Sequence, residues 1–204
     1  MSAQVLSVSL PSEIIYVSGT VNGTAYTWTL IEGAWTATVE RAADDTYAVA
    51  LTAVTAAGVS TNYALTLYYG LLSLITDRTR ADVANQTDKG FYNASDLNRV
   101  GAAVEYIAGR FTALGYACPV TVKKDWLTSD APTQRQMETY RQNISTLRRQ
   151  ISVMASTPEA PASMAGLNYV KANNIEQILL DLDALIDKLI KSWCFSGELY
   201  AGES

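Results

Sequence analysis

The spacing of apolar residues changes period once, at Gly70, and one regular architecture cannot satisfy both periods. Up to Tyr69 apolar and polar residues alternate in short runs, the pattern of half-buried strands. Ile15, Val17 and Gly19 alternate with Tyr16 and Ser18, and Tyr26, Trp28 and Leu30 alternate with Thr27 and Thr29 before a turn at Glu32-Gly33. Trp35, Ala37 and Val39 follow, with Thr36 and Thr38 between them. Tyr47, Val49, Leu51 and Ala53 share one side of a longer run, and Ala57-Gly58 turns the chain into Tyr63, Leu65 and Leu67.

Six or seven such strands, spaced about 8–12 residues apart, predict an immunoglobulin-like β-sandwich over residues 1–70. The run Asp44-Asp45-Thr46-Tyr47-Ala48-Val49 adds to this, because a polar turn leads into a Tyr at the start of a long strand. A Tyr so placed can hydrogen-bond back across the corner joining two sheets; otherwise it is an ordinary buried aromatic. Trp28 and Trp35 sit in phase with the apolar side of their strands, which predicts core positions. The pattern resembles the bacterial immunoglobulin-like domains of surface and phage proteins.

From Leu71 onward the period is helical and the charge is balanced: fourteen basic and fifteen acidic residues, against one and five before it. Such a shift predicts a domain boundary, with an α-helical bundle of three to four helices over 71–204 and therefore an α+β chain of two segregated domains. Asp77 to Lys89 reads as a short helix or a connector. Ser95 is a candidate cap for a helix whose apolar positions Leu97, Val100, Val104, Ile107, Phe111 and Leu114 recur at three and four, and Gly115 ends it. Val120 to Trp126 reads as extended. Thr133 and Gln136 form a capping box that starts the next helix. There Met137, Tyr140, Ile144, Leu147, Ile151 and Met154 make a strict heptad seam. It is either a coiled-coil contact between subunits or the packing face of a bundle within one chain, and its short length favours the second.

Thr157, Pro158 and Pro161 interrupt the chain. Ile175, Ile178, Leu179, Leu182, Leu185, Ile186, Leu189 and Trp193 then form the broadest apolar helical face of the sequence. Glu176, Asp181, Asp183, Asp187 and Lys188 lie opposite and read as a solvated face, since hard-cation sites gather their oxygens on a loop with a Gly turn. The tail from Phe195 to Ser204 reads as an extended strand.

Catalytic and cofactor chemistry finds little footing. The chain has no His, which removes the commonest general base and nitrogen ligand. It has no phosphate-cradling Gly-rich loop and no nucleophile elbow. Cys118 and Cys194 are too few for a disulfide scaffold or a four-ligand zinc site, and leave open two reduced thiols or one bridge. No catalytic, cofactor or metal site is therefore expected. A net charge of −5 disfavours nucleic acid, whose phosphates require clustered Lys and Arg. No apolar run approaches the roughly 18 residues of a bilayer span. Met1 to Gln4 lack the features of an export signal, which predicts synthesis in a cytoplasm.

Leu74-Ile75-Thr76-Asp77-Arg78-Thr79, Tyr92 to Val100, Val120 to Trp126, Asn174 to Ile186 and Ser192 to Glu203 together resemble a helical module of virion proteins from tailed phages and prophages of Gram-positive bacteria. The resemblance implies a non-catalytic part of a tail tip, baseplate or fibre, assembled in the host cytoplasm. Its partners would be other virion proteins, a second copy of itself, or a glycan or protein of the host surface. A cell-surface adhesin or carbohydrate-binding module, and a capsid decoration protein, are the alternatives.

Overall fold

The structure is a computed structural model that describes residues 3–43, 45–69 and 74–196, without the side chains of 193–196. It is an α+β fold in which seven N-terminal strands in two sheets precede four helices. The strands are β1 (Ala3–Val8), β2 (Ile14–Val21), β3 (Thr24–Thr27), β4 (Thr29–Ile31), β5 (Ala34–Glu40), β6 (Thr46–Thr55) and β7 (Ser60–Tyr68). The helices are α1 (Arg80–Ala84), α2 (Ala94–Ala113), α3 (Gln134–Arg148) and α4 (Tyr169–Ser196). The chain forms two compact units, one of Met1–Leu72, Phe91–Ala103 and Val122–Thr133, the other of Ser73–Gly90, Val104–Thr121 and Gln134–Ser204. It leaves the first unit close to the Gly70 boundary drawn from the change of period, but returns to it twice. The units are therefore not two consecutive stretches.

In the first unit the sheets are ordered β1-β5-β4 and β3-β2-β6-β7, with every pairing antiparallel. Their inward residues share one core: Leu6, Val8, Ala37 and Val39 from the first sheet and Val17, Tyr47, Val49, Leu51, Ala53, Leu65 and Leu67 from the second. This alternation is the one read from the sequence. Two departures have local causes. The Tyr26-to-Leu30 run is not one strand: β3 belongs to the second sheet and β4 to the first, and Trp28 is buried where the chain changes sheet. A bulge in β2 between Ile14 and Tyr16 resets the phase, so that Ile14 and Val17 point inward and Ile15 is 63% exposed. Gly19 faces inward where a Cβ would lie 2.7 Å from the Leu51 side chain, so a larger residue there would displace the core.

The corner between β5 and β6 carries the chain from one sheet to the other, and Tyr47 fixes it. Its ring is wholly buried, edge-on to Tyr69 at 5.7 Å, and its phenolic oxygen accepts the Ala42 N–H at 3.1 Å. Asp45 closes the turn with a forked ion pair to Arg41 and with its own carbonyl, which accepts from Tyr69 N–H. Leu127, from the returning segment, completes the apolar core.

In the second unit α3 packs on α4, and Ile175, Ile178, Leu179, Leu182 and Ile186 form the buried stripe. Leu185 and Leu189 are only half-buried, and Trp193 lies outside the described side chains. The opposite face is not uniformly solvated. Glu176 is 0% exposed and ion-paired to Arg78 at 2.8 Å, while Asp183 and Asp187 both hold Arg110 of α2. Burial of a charge is tolerable only with such a partner. Asn93, not Ser95, caps α2: its Oδ1 accepts from Ser95 N–H at 2.8 Å, and Asp96 reaches back to Asn93 N–H at 2.9 Å. Gly115 ends the helix at φ +85°, with Tyr116 N–H bonded to Phe111 O. The tail expected to be extended from Phe195 instead begins inside α4, which runs to Ser196, and its remaining residues lie outside the described residues.

Candidate functional site

Stretches without regular structure are fixed in both units by one recurring device. In the first unit Asn98 of α2, wholly buried, accepts the Trp126 N–H at 2.6 Å and donates to Trp126 O and to Thr66 O, each at 3.0 Å. One amide thus reproduces both halves of a strand pairing and also reaches the edge strand β7. Asn98 has the room to do so because Gly101 lets the chain approach α2; a Cβ there would stand 2.9 Å from Lys123 O. Asp125 anchors the same segment to the end of β1 by accepting Ser9 N–H at 2.6 Å. Burial alone would push that carboxyl's pKa up, but the hydrogen bonds from Lys123 and Ser9 and the ammonium charge together hold it below the ordinary range.

The second unit repeats the device twice. Asn143 of α3 accepts Thr121 N–H at 3.1 Å and donates to Thr121 O at 2.7 Å. Asn173 of α4 does the same to Arg78, at 3.0 and 2.9 Å. Beside it Glu176 accepts Ile75 N–H at 2.6 Å, and the Arg78 guanidinium donates to Ile75 O at 2.7 Å. Val120 to Trp126, expected to be extended, carries no regular structure, and the Asn residues that hold it give no sign in the sequence of where their amides reach.

The heptad seam is divided by these contacts. Met137, Tyr140, Ile144 and Leu147 lie on α3, with Tyr140, Ile144 and Leu147 buried inside the unit and Met137 half-buried. Ile151 and Met154 fall beyond the helix, which ends at Arg148. There the Arg148 guanidinium donates to the carbonyls of Pro158 and Thr157 and pairs with Glu159, drawing the chain away from the helical path. The helical part of the seam is therefore the packing face of α3, and the six positions do not form one continuous surface.

Among the described residues, a surface shaped to receive a ligand lies on the outer face of the β3-β2-β6-β7 sheet. Two adjoining hollows of about 530 and about 460 Å³ share Thr20, Ala50 and Ala64, which lie side by side across β2, β6 and β7. The first is walled by Asn93 to Ser95 at the start of α2 and by Trp126 and Thr128. The second runs to Thr52, Asn62 and Tyr63. No residue lining either hollow is charged. The hydroxyls of Thr20, Thr66 and Thr128 and the Asn93 Nδ2 have no partner among the described residues, and the Trp126 indole Nε1–H, on a residue 4% exposed, has no acceptor.

No family model, curated protein or solved structure matches this chain. The chemistry of the fold therefore rests on its own residues. Among the described residues no cluster of three or more Cys, Asp or Glu is placed to hold a metal, and no helix is long and apolar enough to cross a membrane. Cys118 carries a free thiol whose pKa is raised by burial, which keeps it protonated and a poor nucleophile at neutral pH.

Proposed function

We propose that this chain is a non-catalytic structural protein of a tailed-phage virion, placed at the tail tip, baseplate or fibre. The β unit is read as an immunoglobulin-like sandwich exposed for contact with the host surface, and the second unit as a helical bundle for docking on the assembly. The observation that carries the reading is where the virion-like stretches fall. Arg78, Asn98, Thr121, Trp126 and Glu176 all lie in them, and these residues make the buried polar clasps described above. A likeness carried by architecture-setting residues is stronger support than one carried by surface composition, because each clasp fixes a segment that has no ladder of its own. The Tyr47 hydrogen bond at the corner between the sheets supports the immunoglobulin-like part.

The test is physical location. Particles released by lysis of a host carrying the gene are purified on a density gradient and labelled with gold-conjugated antibody to this chain. Label at the distal end of the tail is the expected result. Label on the capsid would favour decoration instead, and protein remaining with the cell envelope while particles stay unlabelled would refute the virion reading in favour of an adhesin.

A further inference from the structure

We propose that the trench on the outer face of the β3-β2-β6-β7 sheet binds a neutral oligosaccharide. The lining excludes the other ligand classes in turn. An anion or cation would need an opposite charge within reach, and no charged residue lines the trench. A purely apolar ligand would need large apolar side chains, whereas the side chains offered across the strands are Thr20, Ala50, Ala64, Ala48, Thr66 and Thr52. A peptide adding as a strand would need an open sheet edge. The trench instead lies over the face of the sheet, and the edge strand β7 already has its Thr66 carbonyl engaged by Asn98.

What remains is a ligand whose own surface alternates hydroxyl and C–H patches, as that of a sugar does. Methyl groups of Ala and Thr would meet the C–H patches. The unpartnered hydroxyls of Thr20, Thr66 and Thr128 and the Asn93 amide would meet the hydroxyls, with Trp126 in the wall beside them. From Ala48 to Thr52 the trench runs about 13 Å at the usual strand rise, the length of two or three linked sugar rings. The chemistry stands on these residues; its role in host contact rests on the virion reading above.

The test uses the full-length protein and nuclear magnetic resonance. The Trp126 indole N–H signal is assigned by its loss in Trp126→Phe. The protein is then titrated with a panel of neutral trisaccharides built from glucose, mannose, galactose or N-acetylglucosamine, with trigalacturonic acid as the charged control. At least one neutral trisaccharide should shift the Trp126 signal saturably at millimolar concentration while the control does not. Ala50→Arg, which fills the trench from an exposed position, should weaken binding by roughly tenfold or more without moving the melting temperature. Thr66→Val serves as a second, nearly isosteric variant and should weaken it several-fold. The proposal is overturned if no panel sugar moves Trp126, if binding survives Ala50→Arg and Thr66→Val, or if the acidic control binds equally. It is also overturned if the signal responds to protein concentration instead, which would make the trench a contact between copies. Sugar binding by a protein absent from virions would keep the trench and refute the proposed function; a virion-located protein that binds none of the sugars would do the reverse.

Discussion

Replacing Asn98 with Ala removes three hydrogen bonds at once and leaves their partners where water has little access. The Trp126 N–H loses its acceptor at 2.6 Å, and the Trp126 and Thr66 carbonyls lose a donor at 3.0 Å each. An orphaned buried polar group costs about 1–3 kcal/mol, and a carbonyl that recovers a water costs less, so a loss of about 3–5 kcal/mol is expected. That is a large share of the roughly 5–15 kcal/mol that holds a domain together, and it should lower the melting temperature by about 10 °C. Circular dichroism melting and urea denaturation measure it, with exposed Asn62→Ala as a control expected within about 0.5 kcal/mol of the parent. Asn98→Asp sharpens the test. It keeps an acceptor for Trp126 N–H but turns the donor into a charge facing two carbonyls, which raises the carboxyl's pKa in the folded state. The folded protein then binds the proton more tightly than the unfolded one, so the variant should gain stability as pH falls. If Asn98→Ala melts within about 2 °C of the parent, the clasp contributes nothing and the reasoning fails.

Three further outcomes follow from named contacts. Glu176→Gln should destabilise the second unit by about 3–5 kcal/mol because it leaves Arg78 buried without a counter-charge, whereas Arg78→Met with Glu176→Leu should cost much less than the two single changes added together; a double-mutant cycle by urea denaturation reads the difference. Ile144→Glu should unfold the second unit, since it puts a carboxylate at a fully buried position of α3; a folded variant by circular dichroism would contradict the packing described. Asp125 has its carboxyl pKa lowered on folding, so the stability it contributes is complete above the unfolded value of about 3.9 and is lost as pH falls through the folded value. Asp125→Asn should lower stability at neutral pH and flatten the acid limb of the stability curve.

The elements legible in the sequence are those whose period states their environment. Tyr47, Val49, Leu51 and Ala53 alternate without interruption and are the central inward row of β6; Ile175 to Ile186 repeat at three and four and are the buried stripe of α4. The Tyr47 corner was legible for a different reason, since a polar turn before a strand-initial Tyr leaves few ways to satisfy its hydroxyl. What misled was phase and length. The bulge at Ile15 adds one residue to β2 and turns a side chain over, and nothing in an alternating run announces it. The heptad from Met137 to Met154 continues in sequence past the point where Arg148 bends the chain, because periodicity records side-chain type and not where a guanidinium finds its carbonyls. Glu176 belongs to the same class: on a helical wheel it sits among solvated acids, and only Arg78, ninety-eight positions away in the chain, makes its burial possible.

The trench was out of reach for a further reason, which concerns how surfaces are made. Its floor is the side of each strand that the alternation marks as outward, and Thr, Ala and Asn there read as ordinary solvent-facing residues. What changes their meaning is the wall. The start of α2 with Asn93 and Ser95, and the segment with Trp126 and Thr128, stand beside the sheet because Asn98 clasps Trp126 and Thr66 together and Tyr68 shares a hydrogen bond of 2.7 Å with Ser95. A flat face of small residues has little to hold a ligand with; the same face with a wall buries more of it and adds polar groups in fixed positions. The clasp therefore has two effects separable by experiment. It stabilises the unit by about the amount worked out above, and it sets the distance between Trp126 and the row of Thr20, Ala50 and Ala64. A conservative change that keeps the fold but loosens the clasp, such as Asn98→Ser, should reduce sugar affinity by a larger factor than it reduces stability, whereas loss of both in proportion would show that the wall has no part in binding.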